Sequence, residues 1–447
     1  MTNQTQLLPN CSKETTLSGL LLQPDNYCNQ IPTNMTQEQM TNGMLNLSAI
    51  PSNYIIKNCP SPFIKDPLAG TGTTVDNKYC RFGCCLPCPA QNYLYKKGWA
   101  KVGFTASNAV RFVSAILSLI LVISYLVLPD KMRHPSLLIL NLSISIFLFS
   151  MVSFFAIGNQ ERLQCSPNGI APGEMGNNAL CAAQGAILVF SSFSTTLWCS
   201  ALILNLHFHT VWNSNFFTNK YLMLNIICWG IPAVVTCVAI GLHSLKFEFA
   251  SLCLVSMEYV FKLYFYPLAA IICPSFIIHI GTFFYIAKMA IQEKRESDMS
   301  QSLSTGKVTS QGVNHRHIVA AVKIQWRALL LAVVAIATVL FYWLAYMTQV
   351  RRLTETENNA TLVTSWLQCM LTPGNDQDIC YEIIKPILPN FSLMVTVDIL
   401  AALIGFWLFL MFAKRSLWRE WNDLIYDIRI ACIYRKREKH AEQFFTL

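Results

Sequence analysis

Residues 136–157 read SLLILNLSISIFLFSMVSFFAI and contain no Asp, Glu, Lys, Arg or His. A helix of about 20 residues crosses the roughly 30 Å hydrocarbon core of a bilayer, and this stretch has that length. Six further apolar runs of similar length occur in the chain, at residues 109–128, 182–206, 221–242, 263–287, 328–347 and 391–413. The sequence therefore predicts an all-α membrane protein, built as a seven-transmembrane helix bundle.

The composition favours a membrane protein over a soluble one. Hydrophobic residues make up 53% of the chain and charged residues only 13%, whereas soluble domains contain about 25% charged residues. The net charge is +9, but the basic residues cluster at the ends of the apolar runs and in particular loops. This distribution is typical of membrane topology, so we expect no nucleic-acid partner.

The loop charges predict the orientation of the bundle. If the N-terminus lies outside, the cytoplasmic loops and tail contain eighteen Lys and Arg residues, against six in the outer loops. Cytoplasmic loops are normally the basic ones. We therefore expect a multi-pass protein of the plasma membrane with its N-terminus outside.

Glycosylation sequons agree with this orientation. They occur at Asn3, Asn10, Asn34 and Asn46 before the first run, and at Asn359 and Asn390 around the last outer loop. The Asn-x-Ser/Thr pattern marks acceptor sites on the outer surface of secreted and membrane proteins. We therefore predict that the outer face is glycosylated.

Cysteines are concentrated on the same side. Twelve of the 17 cysteines fall on the predicted outer side, which faces an oxidising compartment where disulfides persist. A cluster at Cys80, Cys84, Cys85 and Cys88 superficially resembles a zinc site, but this compartment favours disulfides. The sequence alone does not determine which cysteines pair.

Three segments follow from these patterns. Residues 1–105 form an extracellular glycosylated tail and a short disulfide-rich linker, and residues 106–418 form the bundle. Residues 292–314, rich in Ser, Thr and Gly, are predicted to be a linker of low order. Residues 419–447 form a cytoplasmic helix and basic tail. Apolar residues at helical spacing, from Trp418 to Ile430, predict an amphipathic helix that contacts membrane lipid.

Short motifs in the bundle point to one receptor family. They are KMRHP at 131–135, WGIPA at 229–233, LCLV at 252–255, PL at 267–268, FY at 341–342 and GFW at 405–407. The rhodopsin-class Asp/Glu-Arg-Tyr and Asn-Pro-x-x-Tyr signatures are missing from the third and seventh runs. Over roughly residues 80–421 the chain resembles the Frizzled/Smoothened family, the class F G-protein-coupled receptors.

The resemblance implies a receptor that transmits the signal of an extracellular ligand to a heterotrimeric G protein or another cytoplasmic adaptor. The ligand is unknown, and no enzymatic activity or cofactor is expected. The family pattern also implies disulfides from Cys181 to Cys253, from Cys369 to Cys380, and from Cys165 to the cysteine cluster. A homodimer is left open, as are two other classes of protein, a transporter and a zinc-dependent membrane hydrolase.

Two family features are altered. Only Cys11, Cys28 and Cys59 precede the cysteine cluster, whereas the family's ligand-binding module has about ten cysteines. The chain thus resembles the reduced receptors of amoebae and fungi that lack this module. The family's inner Lys-Thr-x-x-x-Trp motif corresponds to Lys414 through Trp418, which lacks the Thr and is one residue shorter.

The resemblance also implies a conformational switch. A basic residue at the inner end of the sixth run, Lys323 or Arg327, is expected to pack on Trp407, and such a cation–π contact contributes about 0.5–2 kcal/mol.

Asp398, inside the seventh run, is a second candidate, because an ionisable group within a membrane is costly and is usually paired or functional. It is expected to pair with Arg111, to pair with His279, or to accept a hydrogen bond from a Ser or Thr.

Overall fold

The structure is a computed structural model of the whole chain. It describes residues 15–17, 20–24, 54–69, 73–75, 79–128, 131–214, 216–249, 252–301, short stretches between 330 and 349, 360–372, 376–413 and 415–445.

Six helices in this part of the chain are long and apolar enough to cross a membrane. They are span 1 (Trp99–Val127), span 2 (Ser136–Ala156), span 3 (Ala179–Val211), span 4 (Tyr221–Gly241), span 5 (Val260–Ile286) and span 7 (Phe391–Phe412). The predicted run 328–347, span 6, lies partly outside the described residues, and those described there are helical. The prediction of an all-α seven-span membrane bundle is confirmed.

The largest differences from the predicted runs are in spans 1 and 5. Span 1 begins at Trp99, well before residue 109, directly after Gly98 with its φ of 79°. Span 5 opens with the π-helical turn Val260–Phe265 and continues as an α-helix, Tyr266–Gln301. The predicted linker is therefore wrong for residues 292–301. Gln, Glu, Lys and Arg in that stretch favour a helix, and no Gly or Pro interrupts it.

Shorter elements surround the bundle. Eight described strands form three antiparallel sheets. The first sheet has the strand order β1 (Thr15–Leu17), β2 (Leu20–Pro24), β3 (Tyr54–Ile56), and the second has the order β4 (Ile64–Lys65), β6 (Cys84–Cys85), β5 (Cys80–Arg81). The third is the hairpin of β7 (Leu245–Phe249) and β8 (Leu252–Val255). The sequence analysis predicted none of them. The remaining helices are Gln91–Leu94, Glu161–Gln164, Ala360–Leu371, Gln377–Ile384 and the C-terminal helix Arg415–Phe445.

Span 3 forms the centre of the bundle. It packs against spans 2, 4 and 5, and its large side chains Phe193 and Trp198 are fully buried. Its first turn is capped by Asn178, whose Oδ1 accepts hydrogen bonds from the backbone N–H groups of Leu180 and Cys181. Span 1 lies beside spans 2 and 7. Because lipid is as apolar as the core, close packing and polar contacts between spans stabilise this arrangement.

Candidate functional site

Five disulfides join described cysteines, and we call the end of the bundle that contains them the disulfide end. They are Cys59–Cys84, Cys80–Cys85, Cys88–Cys165, Cys181–Cys253 and Cys369–Cys380. The pairs that the family pattern implied are thus joined in the structure. Asp66 lies near the sulfurs of Cys80 and Cys85 in an arrangement resembling a metal site. Both sulfurs are consumed by their disulfide and are not available as thiolate ligands.

The β7–β8 hairpin is fixed across this end of span 3. The Cys181–Cys253 disulfide ties β8 to the first turn of the span. One turn further along, the Gln184 carboxamide accepts a hydrogen bond from the Cys253 N–H at 2.8 Å and donates one to the Val152 carbonyl oxygen at 3.2 Å. The hairpin is therefore held by covalent and polar bonds over the centre of the bundle.

A cavity of about 120 Å³ lies inside the bundle beside this hairpin. Spans 1, 2, 3, 5, 6 and 7 all contribute to its wall, and Leu252 and Leu254 of β8 line it as well. Its lining is largely apolar. The charged groups at its wall are Arg111 of span 1 and Asp398 of span 7, so the cavity suits a mainly apolar ligand with a small polar group.

Arg111 and Asp398 form a buried ion pair between spans 1 and 7. Arg111 Nη2 lies 2.5 Å from Asp398 Oδ1, and the Ser107 hydroxyl donates a hydrogen bond to Asp398 Oδ2. Arg111 is fully buried and Asp398 is 7% exposed. Two of the contacts expected from the sequence, the arginine pair and the serine hydrogen bond, thus occur together.

The third expected contact does not form. His279 of span 5 is 3% exposed, and neither of its ring nitrogens has a hydrogen-bond partner in the part of the chain described. Both carboxylate oxygens of Asp398 are occupied by Arg111 and Ser107. The Asp398–His279 interpretation is therefore wrong.

The ion pair leaves some polar atoms unused. Arg111 Nε and Asn108 Nδ2 have no hydrogen-bond partner among the described residues, and neither does Thr195 Oγ1 on the cavity wall of span 3. A buried polar atom without a partner costs about 1–3 kcal/mol. Arg111 and Thr195 both line the cavity, so an oxygen-bearing ligand or a water there would recover part of that cost.

Spans 1 and 7 also meet at a second level. Span 7 is interrupted at Leu403, between the helices Phe391–Ala402 and Ile404–Phe412. A Cβ atom at Gly405 would lie only 2.6 Å from Ser114 Oγ and 2.7 Å from the Ser114 carbonyl oxygen. The Phe406 N–H donates a hydrogen bond to Ser114 Oγ at 3.1 Å. Glycine is therefore required for this close approach, and we call the contacts of Ser107, Arg111 and Ser114 with span 7 the 1–7 seam.

The C-terminal helix continues the contact with span 1 at the opposite end of the bundle. The Trp421 indole N–H donates to Ser124 Oγ at 2.9 Å, and Lys131 Nζ lies 2.8 Å from Glu420 Oε1. Trp418 is 53% exposed, whereas its expected companion Lys414 lies outside the described residues.

Other predicted residues are only partly described. Trp407 is half-buried against the core, but Lys323 and Arg327 lie outside the described part of the chain. Among the predicted glycosylation sites, Asn3, Asn10, Asn34, Asn46 and Asn359 also lie outside it. Asn390 is exposed, and its Oδ1 accepts a hydrogen bond from the Leu393 N–H at the start of span 7.

The seam was only partly visible in the sequence. Arg111 was named as one of several partners, whereas Ser107, Ser114 and the need for Gly405 were missed. A signal was present, because Ser107, Arg111, Ser114 and Ser118 recur at helical spacing on one face of span 1, and all are fully buried. Polar residues at this spacing within a membrane helix indicate the face that meets other helices.

Known proteins resemble this chain along most of its length. A sequence profile of the Frizzled/Smoothened family membrane region matches residues 100–427. The G protein-coupled receptor gprM of Aspergillus fumigatus is 25% identical over 382 residues, which are 82% of this chain and 76% of that protein.

Two Dictyostelium discoideum proteins match over shorter stretches. Frizzled and smoothened-like protein G is 25% identical over 205 residues, 44% of this chain and 33% of that protein. Frizzled and smoothened-like protein Q is 24% identical over 183 residues, 40% of this chain and 30% of that protein. These relatives have receptor-type rather than enzyme names. The match over residues 100–427 confirms the resemblance found in the motifs, and the chain belongs to the Frizzled/Smoothened family.

Proposed function

We propose that this protein is a plasma-membrane receptor that transmits the signal of an extracellular ligand to a heterotrimeric G protein. The observation that carries this proposal is the buried Arg111–Asp398 pair, which joins spans 1 and 7 on the wall of the bundle cavity. Membership of a receptor family and a relative named as a G protein-coupled receptor support it.

The orientation in this proposal has the N-terminus and the disulfide end outside. Disulfides persist in oxidising compartments, and the loops assigned to the cytoplasm are the basic ones. The C-terminal helix then lies at the cytoplasmic surface, where exposed Trp418, Ile425 and Ile428 are suited to contact lipid.

The ion pair provides a physical basis for two states. A ligand shifts a conformational equilibrium only through its different affinity for the two conformations. Because Arg111 and Asp398 belong to different spans and line one cavity, a ligand there interacts differently when the spans move apart. Breaking one side of a buried ion pair typically costs about 3–5 kcal/mol, so the pair holds a defined resting arrangement.

Nucleotide exchange on a panel of G proteins tests this function, in membranes with equal amounts of surface receptor. Asp398→Asn and Arg111→Gln each leave one buried partner without its counterpart, and we expect altered basal exchange with lower stability. The double variant removes both charges, so we expect it to recover surface expression while its basal exchange stays shifted severalfold. Ser118→Ala, another buried position on span 1, serves as the control and should match the wild type.

The two parts of the proposal fail differently. If the double variant, at equal surface expression, gives the same basal nucleotide exchange as the wild type, the 1–7 seam is not the signalling element. If neither the wild type nor any variant stimulates nucleotide exchange on any G protein of the panel, coupling to G proteins is excluded.

The contact of Lys323 or Arg327 with Trp407 remains a separate proposal within the same function. Trp407→Leu removes the indole face that such a cation would cover. We expect higher basal exchange at equal surface expression, and unchanged exchange would contradict the contact.

A further inference from the structure

A second cavity lies at the disulfide end, apart from the cavity inside the bundle. Its volume is about 270 Å³, and it is bounded by the short helix Gln91–Leu94, the first turns of span 1 and the segment after span 2. Pockets for drug-sized ligands measure about 300–1,000 Å³, so this cleft suits a smaller molecule.

The cleft is polar, unlike the bundle cavity. Five carboxamide residues line it, namely Gln91, Asn92, Asn159, Gln160 and Gln164. Carboxamides both donate and accept hydrogen bonds. In the described structure the side chains of Asn92 and Gln160 make no hydrogen bond, so their donors and acceptors are free for a ligand.

Two opposite charges line the same cleft without pairing. Lys101 comes from the first turns of span 1, and Glu161 begins the short helix Glu161–Gln164. The ion pairs between described residues do not include Lys101 with Glu161. Burial and the nearby Glu161 carboxylate both raise the pKa of the Tyr93 hydroxyl. The Glu161 carboxylate therefore acts electrostatically on Tyr93, a partly buried residue of the short helix beside the cleft.

We propose that this cleft binds a small zwitterion of amino-acid size. Its carboxylate contacts Lys101, its ammonium group contacts Glu161, and the side chains of Asn92 and Gln160 bind its remaining polar atoms. Other small ligands fit less well. A sugar suits the carboxamides but offers no counter-charge to Lys101 or Glu161, which are both solvent-exposed. A simple anion or cation satisfies one charged side chain and faces a like charge from the other.

Binding to the purified full-length protein in lipid nanodiscs tests this site without reference to signalling. The common L-amino acids are added one at a time, and the melting temperature is recorded, because a ligand that binds only the folded state raises it. For the amino acid with the largest effect, the dissociation constants of its amide and its N-acetyl derivative are then measured. Each derivative lacks one charge, and because Lys101 and Glu161 are solvent-exposed we expect severalfold weaker binding for each.

Matched variants identify which protein side chain binds which charged group of the ligand. In Lys101→Met, the amino acid and its amide should bind equally well, because the partner of the carboxylate is gone. In Glu161→Gln, the amino acid and its N-acetyl derivative should bind equally well. Arg162→Gln removes an exposed charge beside Glu161 that does not line the cleft, and it should retain both preferences.

Two results would overturn the proposal. The first is that no amino acid raises the melting temperature of the wild type or binds to it. The second is that a folded Lys101→Met variant still prefers the amino acid over its amide, since the carboxylate would then be recognised elsewhere. Weaker binding of all probes with an unchanged preference is the effect of a loosened fold, and it counts as this second result.

Discussion

The two ends of the bundle are held by different kinds of bond. At the disulfide end, five disulfides join the described cysteines, and the β7–β8 hairpin is tied to span 3. At the opposite end, the described contacts are noncovalent, and they include a hydrogen bond from Trp421 to Ser124 at 2.9 Å and an ion pair between Lys131 and Glu420 at 2.8 Å. Covalent links fix one end, whereas contacts worth about 1 kcal/mol each hold the other.

Under the proposed function, this difference suits a receptor that binds its ligand at one end and changes shape at the other. Signalling transitions commonly move helices by rearranging packed contacts, and weak contacts rearrange at low cost. The 1–7 seam lies between the two ends, with Asp398 nearer the disulfide end of span 7 and Gly405 further along it. The following variants weaken each region in turn.

The largest effect is expected at the disulfide end. Cys181→Ser with Cys253→Ser opens a loop with a sequence separation of 72 residues. In the chain-entropy account, such a bridge contributes about 4 kcal/mol by restricting the unfolded state. We expect a large fall in the thermal stability of the purified protein.

A second disulfide at the same end serves as the comparison. Cys369–Cys380 closes a separation of only 11 residues, for which the same account gives about 3 kcal/mol. Cys369→Ser with Cys380→Ser should therefore lower the melting temperature less. An equal or larger fall would show that the loops do not act through chain entropy.

A smaller effect is expected within the seam from Gly405→Ala. The added Cβ would meet the backbone oxygen of Ser114 at 2.7 Å, so span 7 must move away from span 1. Overpacking of this kind costs about 1–3 kcal/mol. Gly230→Ala in span 4 is the control, because no atom lies within 4 Å of its added Cβ. Equal melting temperatures for the two variants would contradict the close contact at Gly405.

The fold class was predictable because membrane insertion depends on local sequence. A run of apolar residues long enough to cross a bilayer must form a helix, since its backbone polar groups have no water to bond. The family motifs then identified the arrangement of the spans. Residues 292–301 were misassigned because they were grouped with the Ser-, Thr- and Gly-containing stretch that follows them, although their own Gln, Glu, Lys and Arg favour a helix.

The candidate site was harder to predict because it depends on contacts between distant segments. Asp398 stood out as an acid within a span, but its partners Arg111 and Ser107 lie almost 300 residues away in the chain. Gly405 was quoted as part of a motif, yet only the position of Ser114 explains the requirement for glycine. The eight short strands were missed because two- to five-residue segments give too little periodicity to recognise.

The smallest effect is expected at the end opposite the disulfides, from Trp421→Phe. This change removes the indole N–H that donates to Ser124 Oγ but keeps an aromatic ring of similar shape. A neutral hydrogen bond contributes about 0.5–1.5 kcal/mol. We therefore expect little change in the melting temperature and a severalfold faster hydrogen exchange of backbone amides near the start of the C-terminal helix.

Hydrogen exchange is the suitable measurement because it reports local opening that a melting temperature does not detect. Trp418→Phe is the matched control, since Trp418 is 53% exposed and forms no hydrogen bond with another described residue. Exchange in the C-terminal helix should therefore rise in Trp421→Phe and stay near the wild-type rate in Trp418→Phe. If the two variants exchange alike, the Trp421–Ser124 bond does not hold the helix to span 1. The attachment of the C-terminal helix to span 1 would then have to rest on other contacts, among them the Lys131–Glu420 pair.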